Sequence, residues 1–241
     1  LLLHPGLNQS LAAMLVNDCI VIGGGPAGCA AAIRLRQKTG GRVLVIDRSP
    51  PPGRYQIGES AAPSVVPLLQ QLGITGDLAA YGHIPCYGNR TIWGSEKVEE
   101  QDYMFKGLGH GWHLDRGQFD QQLAAHAQRT GVAWLMDWGL VELGWWAEQG
   151  CWGLVLEQGG ERKQVFGRTL VDASGNRSVV ASRLGAKRQR IDSLTAVAAI
   201  LPAKGSLGNL SVIEACEQGW WYGADIPDKR LVVTLMTDAD V

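Results

Sequence analysis

The chain has no cysteine pair at ligand or redox spacing, no run of basic residues and no long apolar stretch, and each absence closes a class of function. Its five cysteines, Cys19, Cys29, Cys86, Cys151 and Cys216, form no C-x-x-C pair. Neither a zinc or other metal site nor a disulfide framework is expected, one thiol must be free, and a reducing cytoplasm is the natural setting. Lys and Arg number 22 against 23 Asp and Glu, for a net charge of −1 and a pI near 6.6. That balance gives no electrostatic footprint for nucleic acid or for an anionic membrane. No apolar segment reaches the roughly 18 residues of a membrane span. Residues 1–13 begin without Met and lack the charged start and long apolar stretch of a signal peptide, so they read as a non-native extension with Met14 as the native start. No repeat or low-complexity segment occurs. What is present is 241 residues, 46% hydrophobic, with 32 glycines: material for a core in one large domain or two small ones, joined by many turns.

The apolar run Cys19–Ile22 ends in Gly23-Gly24-Gly25-Pro26-Ala27-Gly28, a helix is expected over Ala30–Leu35, Gly40-Gly41 stops it, and Arg42–Asp47 reads as a second strand. The spacing Gly-x-Gly-x-x-Gly between strand and helix has a local mechanism. Gly23 makes the tight turn, Gly25 lets the backbone approach a pyrophosphate, and Gly28 lets the helix pack on the strand. The phosphate charge then sits at a helix N-terminus, where unpaired N–H groups and the dipole favour an anion. Asp47 lies at the spacing from these glycines at which an acidic side chain takes a ribose hydroxyl. This βαβ unit therefore predicts a bound nucleotide.

Beyond it, Ser49-Pro50-Pro51-Pro52-Gly53-Arg54 reads as a loop, because successive prolines hold an extended backbone. The loop delivers Gly58-Glu59-Ser60 and a helix in which Ser64 caps, Pro67 falls in the first turn and Gly73 stops. A loop leaving the carboxyl end of a parallel strand faces the ligand crevice, which makes Glu59 and Ser60 candidate cofactor contacts. Asp115 and Gln118 have capping-box spacing before another helix, whose Phe119, Leu123 and Ala127 share one face. Arg116 is a cation in that helix's first turn, where the dipole disfavours one, and a nearby phosphate would explain it. From Val132 to Phe166 the runs Val132–Trp138, Leu140–Trp146, Cys151–Glu157 and Lys163–Phe166 are short and Val/Leu/Trp-rich, as in an antiparallel meander. Thr169–Ala173 is expected as a separate buried strand entering a second small-residue turn, Ser174-Gly175-Asn176-Arg177-Ser178. Leu194–Leu201, Leu210–Glu214 and Leu231–Met236 suggest a second sheet, with Gly219-Trp220-Trp221-Tyr222 in its loops or edges.

Gly23-Gly24-Gly25-Pro26-Ala27-Gly28, Gly58-Glu59-Ser60, Asp115-Arg116-x-x-Phe119-Asp120-x-x-Leu123 and Asp172-Ala173-Ser174-Gly175-x-x-Ser178 occur in an order that resembles the superfamily of FAD-dependent monooxygenases, halogenases and geranylgeranyl reductases. The resemblance runs from about Asp18 to the C-terminus. It implies an α/β fold: a Rossmann-like FAD-binding domain with a βαβ start and an antiparallel meander (14–80 and 108–190), plus part of a β-sheet substrate domain (81–107 and 191–241). It further implies FAD with Asp47 on the adenosine ribose, Arg48 and Arg116 near the pyrophosphate, the backbone at Leu140 beside adenine, and Asp172 with Ser174 and Gly175 on the far side of the cofactor. The runs His83–Arg90, Gly109–Arg116 and Gly219–Tyr222 are most similar to tryptophan-halogenase-like flavoproteins, a branch that includes helpers in the maturation of quinoprotein oxidases carrying cysteine tryptophylquinone.

Two departures from the family pattern stand out. Tryptophan halogenases carry a functional lysine downstream of Gly-Glu-Ser, whereas residues 53–96 here contain none, and their Trp-x-Trp-x-Ile-Pro motif is altered at Trp220–Pro227. The Gly-Asp motif that family members carry after the substrate-domain sheet is also missing, since Gly76-Asp77 comes too early, so a C-terminally incomplete chain is expected. The resemblance thus implies an FAD-dependent monooxygenase that transfers one oxygen atom to an aromatic group. Its substrate would be an aromatic small molecule or a tryptophan side chain of a partner quinoprotein precursor, and its electrons would come from NAD(P)H or a separate flavin reductase. A flavin-dependent halogenase of non-tryptophan type, a geranylgeranyl-reductase-like flavin reductase and an inactive FAD-binding fragment are the alternatives. His83, His110 and His113 are candidate bases, and Trp112, His113, Trp220 and Trp221 are expected at the substrate.

Overall fold

The computed structural model describes residues 15–48, 56–107 and 109–239. The extension at 1–13 and the loop at 49–54 lie outside the described residues. In chain order the elements are β1 (Val16–Ile22), α1 (Pro26–Thr39), β2 (Val43–Asp47), β3 (Ser60–Ala61), α2 (Val65–Gln71), β4 (Ile84–Cys86), β5 (Gly88–Ile92), β6 (Val98–Asp102), β7 (Gly111–His113), α3 (Arg116–Arg129), β8 (Ala133–Met136), β9 (Gly139–Trp146), β10 (Cys151–Gln158), β11 (Glu161–Asp172), α4 (Val179–Arg183), β12 (Leu194–Pro202), β13 (Leu210–Cys216), β14 (Gly219–Ile226) and β15 (Arg230–Asp238). The described residues fall into two compact units, those up to 48 with 120–188, and 56–119 with 189–239.

The first unit is built on a six-stranded sheet in the order β8-β2-β1-β11-β10-β9. Ile20, Ile22, Leu44 and Ile46 of its central parallel strands pack with Leu154 and Leu156 of β10 into the core. The near-continuous apolar runs of β1 and β2 reflect burial of both strand faces. α1 covers the sheet with Gly28, Cys29, Ala32 and Ile33, and ends at Gly40 in the left-handed region (φ 64°), whose N–H reaches the Arg36 carbonyl. Two strand assignments change here. The segment expected to open the meander is β8, which pairs parallel with β2 at the far end of the sheet, Leu44 facing Ala133. The segments expected as two strands at 163–173 are one, β11, whose first half pairs antiparallel with β10 and whose second half runs parallel to β1. Composition cannot distinguish these cases, because strand direction is set by partners distant in sequence.

The second unit has a six-stranded sheet in the order β12-β15-β14-β13-β5-β6 and a three-stranded one, β3-β7-β4. Gly219–Tyr222, expected in a loop or at an edge, opens β14, an interior strand between β13 and β15. Ser64 occupies the cap position of α2 without a side-chain hydrogen bond, a second correction, since its own helical backbone (φ −64°, ψ −12°) does not present the hydroxyl to the first turn. The α3 cap is as expected on one side: Asp115 Oδ1 accepts from the Gln118 N–H at 2.9 Å. The return bond is made by His83, whose Nδ1 accepts the Asp115 N–H at 3.2 Å. Phe119, Leu123 and Ala127 are buried together along α3.

Candidate functional site

In the first unit the glycine turn follows β1 directly. Gly23 has φ 109°, and a Cβ there would overlap the Ala173 carbonyl. A Cβ on Gly28 would overlap the Gly23 carbonyl, so strand and helix meet at a distance only glycine permits. Gly25 is different: its backbone is extended (φ −69°), and a Cβ on it would meet nothing within 4 Å. That open space, at the N-terminus of a helix that begins with Pro26 and Ala27 and has no acidic residue in its first turn, fits an anionic phosphate. The Asp47 carboxylate lies over the same turn, with Oδ2 2.6 Å from the position of a Cβ on Gly24. Asp47 stands at the end of β2, the place where an acidic group can accept ribose hydroxyls. Arg48 lies against Gly139. The residues present therefore fit the pyrophosphate and ribose of a nucleotide cofactor.

The second turn stands beside the first. The Ala173 N–H donates to the Ile22 carbonyl at 2.8 Å. Ser174 and the 3-10 turn at Gly175–Arg177 lead into α4. Asp172 caps this helix: Oδ2 accepts from the Val180 and Ala181 N–H groups, both at 2.9 Å, and Oδ1 accepts from the Ser174 hydroxyl. Burial works to raise the Asp172 carboxyl, but those bonds outweigh it and hold the group below the usual carboxylate range. The Leu140 carbonyl is taken by Arg183 Nη2 at 2.7 Å, a partner 43 residues away that no local pattern marks. Cys29, behind the turn, is no nucleophile: burial, with Asp120 and Asp47, pushes its thiol up to about 12.

In the second unit Arg116 Nη1 donates to the carbonyls of Ile57 and Gly58 at 2.6 and 3.3 Å. Glu59 is buried, its Oε2 accepting the Gly58 N–H at 3.0 Å. Ser60 faces His113 across β3 and β7, and Trp112 is buried on the same strand with its ring 4.9 Å from that of His110. His110 Nδ1 lies 2.9 Å from the Gly111 carbonyl. The imidazole of His113 is held down to about 4, by burial first, against an upward pull from Asp225. Trp220 and Trp221 are adjacent on β14 and so project from opposite faces of the sheet, which places only one of them on the face that carries Tyr222. That one is Trp220, whose ring lies 6.4 Å from that of Trp93.

Ser211 and Tyr222 are polar residues that sequence reasoning left without a role. Ser60 Oγ lies 2.5 Å from Tyr222 Oη and 3.0 Å from Ser211 Oγ, and Ser211 Oγ is 3.1 Å from His113 Nε2. Burial, then the negative charge of Glu59, raises the Tyr222 hydroxyl, so it stays protonated. Period-two alternation would have put Tyr222 on the face of Trp220; nothing in the sequence marks Ser211. Among the described residues no group of three or more His, Cys, Asp or Glu could hold a metal ion, and no helix is long and apolar enough to cross a membrane.

A family model described as FAD binding domain matches residues 17–215. LodB of Marinomonas mediterranea, named an FAD-dependent oxidoreductase, is 32% identical over 93% of this chain and 61% of its own length. Among solved structures, the myxobacterial chondrochloren halogenase CndH superposes with a TM-score of 0.83 at 26% identity, covering 93% of this chain and 53% of that one. QhpG, a peptidyl tryptophan dihydroxylase essential for tryptophylquinone cofactor biogenesis, does so with a TM-score of 0.69 at 25% identity, over 93% of this chain and 46% of its own. The chain thus spans about half to three-fifths of the length of these relatives.

Proposed function

The chain belongs to the FAD-binding-domain family, whose members here are FAD-dependent enzymes, and from that premise we propose that it serves a monooxygenase acting on an aromatic group, a tryptophan side chain of a partner quinoprotein precursor. The observation that carries the reading is the glycine turn, with the space at Gly25 open beside the Asp47 carboxylate. Likeness to QhpG supports the choice of substrate.

FAD, when bound and reduced, supplies the activation of oxygen that such a reaction needs. The part of the chain's own residues is to bind and orient. Gly23, Gly25 and Gly28, with Pro26 and Ala27, admit the pyrophosphate to the start of α1, and Asp47 accepts from the ribose. Arg48 and Arg116 balance phosphate charge, the backbone at Leu140 borders adenine, and Asp172, Ser174 and Gly175 shape the far end. Glu59 and Ser60 belong to the cofactor crevice, and Trp112, His113 and Trp220 to the substrate side. Electrons come from NAD(P)H or from a separate flavin reductase, and NAD(P)H consumption by the purified protein alone separates the two.

A flavin-dependent halogenase is the second reading, favoured by the likeness to CndH. The lysine-free stretch at 53–96 argues against it. The test is mass spectrometry of the unmodified partner after incubation with the flavoprotein, reduced flavin and oxygen. The expected product is a partner heavier by oxygen, unchanged by added chloride or bromide. A halide-dependent adduct would refute the oxygenase reading, and equal oxygen gain without the flavoprotein would refute the maturation role.

A further inference from the structure

Trp93 has no role above, yet it completes a row of side chains across the larger sheet of the second unit. Ile213 stands opposite Tyr222 on β14 and beside Thr91 on β5, and Tyr222 stands opposite Thr234, which faces Ala198. Ladder partners project to the same face, so these five side chains form one row. Two residues along each strand lies a second row on that face: Ala215 opposite Trp220, Trp220 opposite Met236, and Met236 opposite Ala196. Glu214 pairs with Ile92, so Trp93 comes beside Ala215 at the end of this second row.

The second row forms an uncovered aromatic corner. Strands β5 and β14 have β13 between them and so lie about 10 Å apart, whereas the Trp93 and Trp220 ring centroids are 6.4 Å apart at an interplanar angle of 61°. Both indoles therefore lean over Ala215, whose small methyl leaves them room. An edge-to-face pair uses one edge and one face, so ring faces remain for a third aromatic group. Trp93 is 58% exposed, and Ala215, Trp220 and Met236 are only partly buried, unlike a pair in a core. Inward, the row of Tyr222 is closed, since Ser60 of the small sheet engages its hydroxyl. The corner thus opens outward, about 7 Å along the strand from Tyr222.

Charge decides what fits there. Neither row contains a charged side chain. At the sheet edge Lys97 and Glu99 pair with each other at 3.9 Å. A free amino acid would bring a carboxylate and an ammonium to a place without free counter-charges, and desolvating them unpaired is costly. An aromatic side chain inside a polypeptide brings neither. We propose that Trp93 and Trp220, with Ala215 between them and Met236 alongside, hold an uncharged aromatic side chain presented by a polypeptide, and that Trp93 is a specificity-determining residue. That the ring held there is the one oxidised rests on the function proposed above. The preference for an uncharged ring does not.

The experiment is nitrogen-15 NMR of the indole N–H groups in the whole chain at neutral pH. The probes are unlabelled N-acetyl-tryptophan amide, an uncharged indole, and free tryptophan, the same ring as a zwitterion. Trp93→Phe and Trp220→Phe assign the two resonances. The capped indole is expected to shift both saturably, while Trp221, which projects from the opposite face, stays in place. Free tryptophan should need about tenfold higher concentration for the same shift. Trp93→Ala should raise the Kd of the capped indole about three- to tenfold, the loss of one aromatic contact. Shifts confined to other tryptophans, no saturable shift, equal affinity for the two probes, or an unchanged Kd in a folded Trp93→Ala would overturn the proposal. The wild-type titrations decide alone if that variant does not fold. Binding as expected without oxidation of a partner would count against the proposed function and leave this result standing.

Discussion

Gly25 and Gly28 lie three residues apart in one turn, yet substitution should separate binding from folding. At Gly25 the backbone is extended and an added Cβ meets nothing within 4 Å, so Gly25→Val should leave the fold intact apart from a cap penalty of about 1 kcal/mol. The same side chain fills the space assigned to the pyrophosphate. Losing two charge-assisted N–H contacts at about 1.5–3 kcal/mol each gives roughly 3–6 kcal/mol, or about 10²–10⁴-fold in Kd for FAD. At Gly28 an added Cβ overlaps the Gly23 carbonyl, which is backbone and cannot swing aside. Gly28→Ala should therefore lower stability by the upper end of about 1–3 kcal/mol or more, whether or not FAD is present. Thermal melts of the flavin-free variants and flavin fluorescence titrations measure both quantities. An unchanged FAD Kd in Gly25→Val, or a melting temperature depressed as far as in Gly28→Ala, would refute the assignment of Gly25 to the pyrophosphate.

Three further outcomes are expected. Asp47→Ala should weaken FAD binding by about 1–3 kcal/mol, the loss of a hydrogen bond to a charged group, as read by the same titration. His113 binds its proton less readily folded (about 4) than unfolded (6.5), so its contribution is complete above 6.5 and is lost as pH falls toward 4; over that window wild type should lose about 3 kcal/mol more than His113→Asn in urea melts, and parallel curves would disprove it. Asp172→Ala should destabilise by about 0.5–2 kcal/mol through loss of the α4 cap, the difference from wild type shrinking as acid protonates Asp172, whose depressed carboxyl stabilises only while ionised.

What the sequence disclosed and what it hid divide along distance in the chain. Gly23, Gly25, Gly28 and Asp47 were legible because each answers a local demand: a positive φ, a close approach, an open space, a strand end. The Asp115 cap was legible for the same reason, and its His83 partner, 32 residues away, was not. β8 and β11 were misassigned because parallel and antiparallel strands share one alphabet, and β14 because a Trp-rich strand between two others resembles an edge. The contacts that join Tyr222 to Ser60 and Ser211 to His113 were invisible: Ser60 and Tyr222 are 162 residues apart, and Ser211 and His113 are 98. Each of those serines alone is an ordinary hydroxyl.

The double pairing of β11 also sets a timetable for the ribosome. Asn17 and Phe166 are joined across 149 residues, so β1 emerges early and waits for the strand that completes its parallel ladder. Closing such a loop costs about 4–5 kcal/mol of chain entropy, which the nascent first unit cannot recover while β11 is still inside the exit tunnel. In that interval β1 and β2 offer an unfinished apolar edge, the kind of surface that chaperones hold and that aggregates when they do not. Once Arg188 has emerged, the first unit can close, whereas the second still lacks β12 to β15. Synthesis therefore favours a nucleotide fold that is ready for its cofactor before the remaining sheet exists.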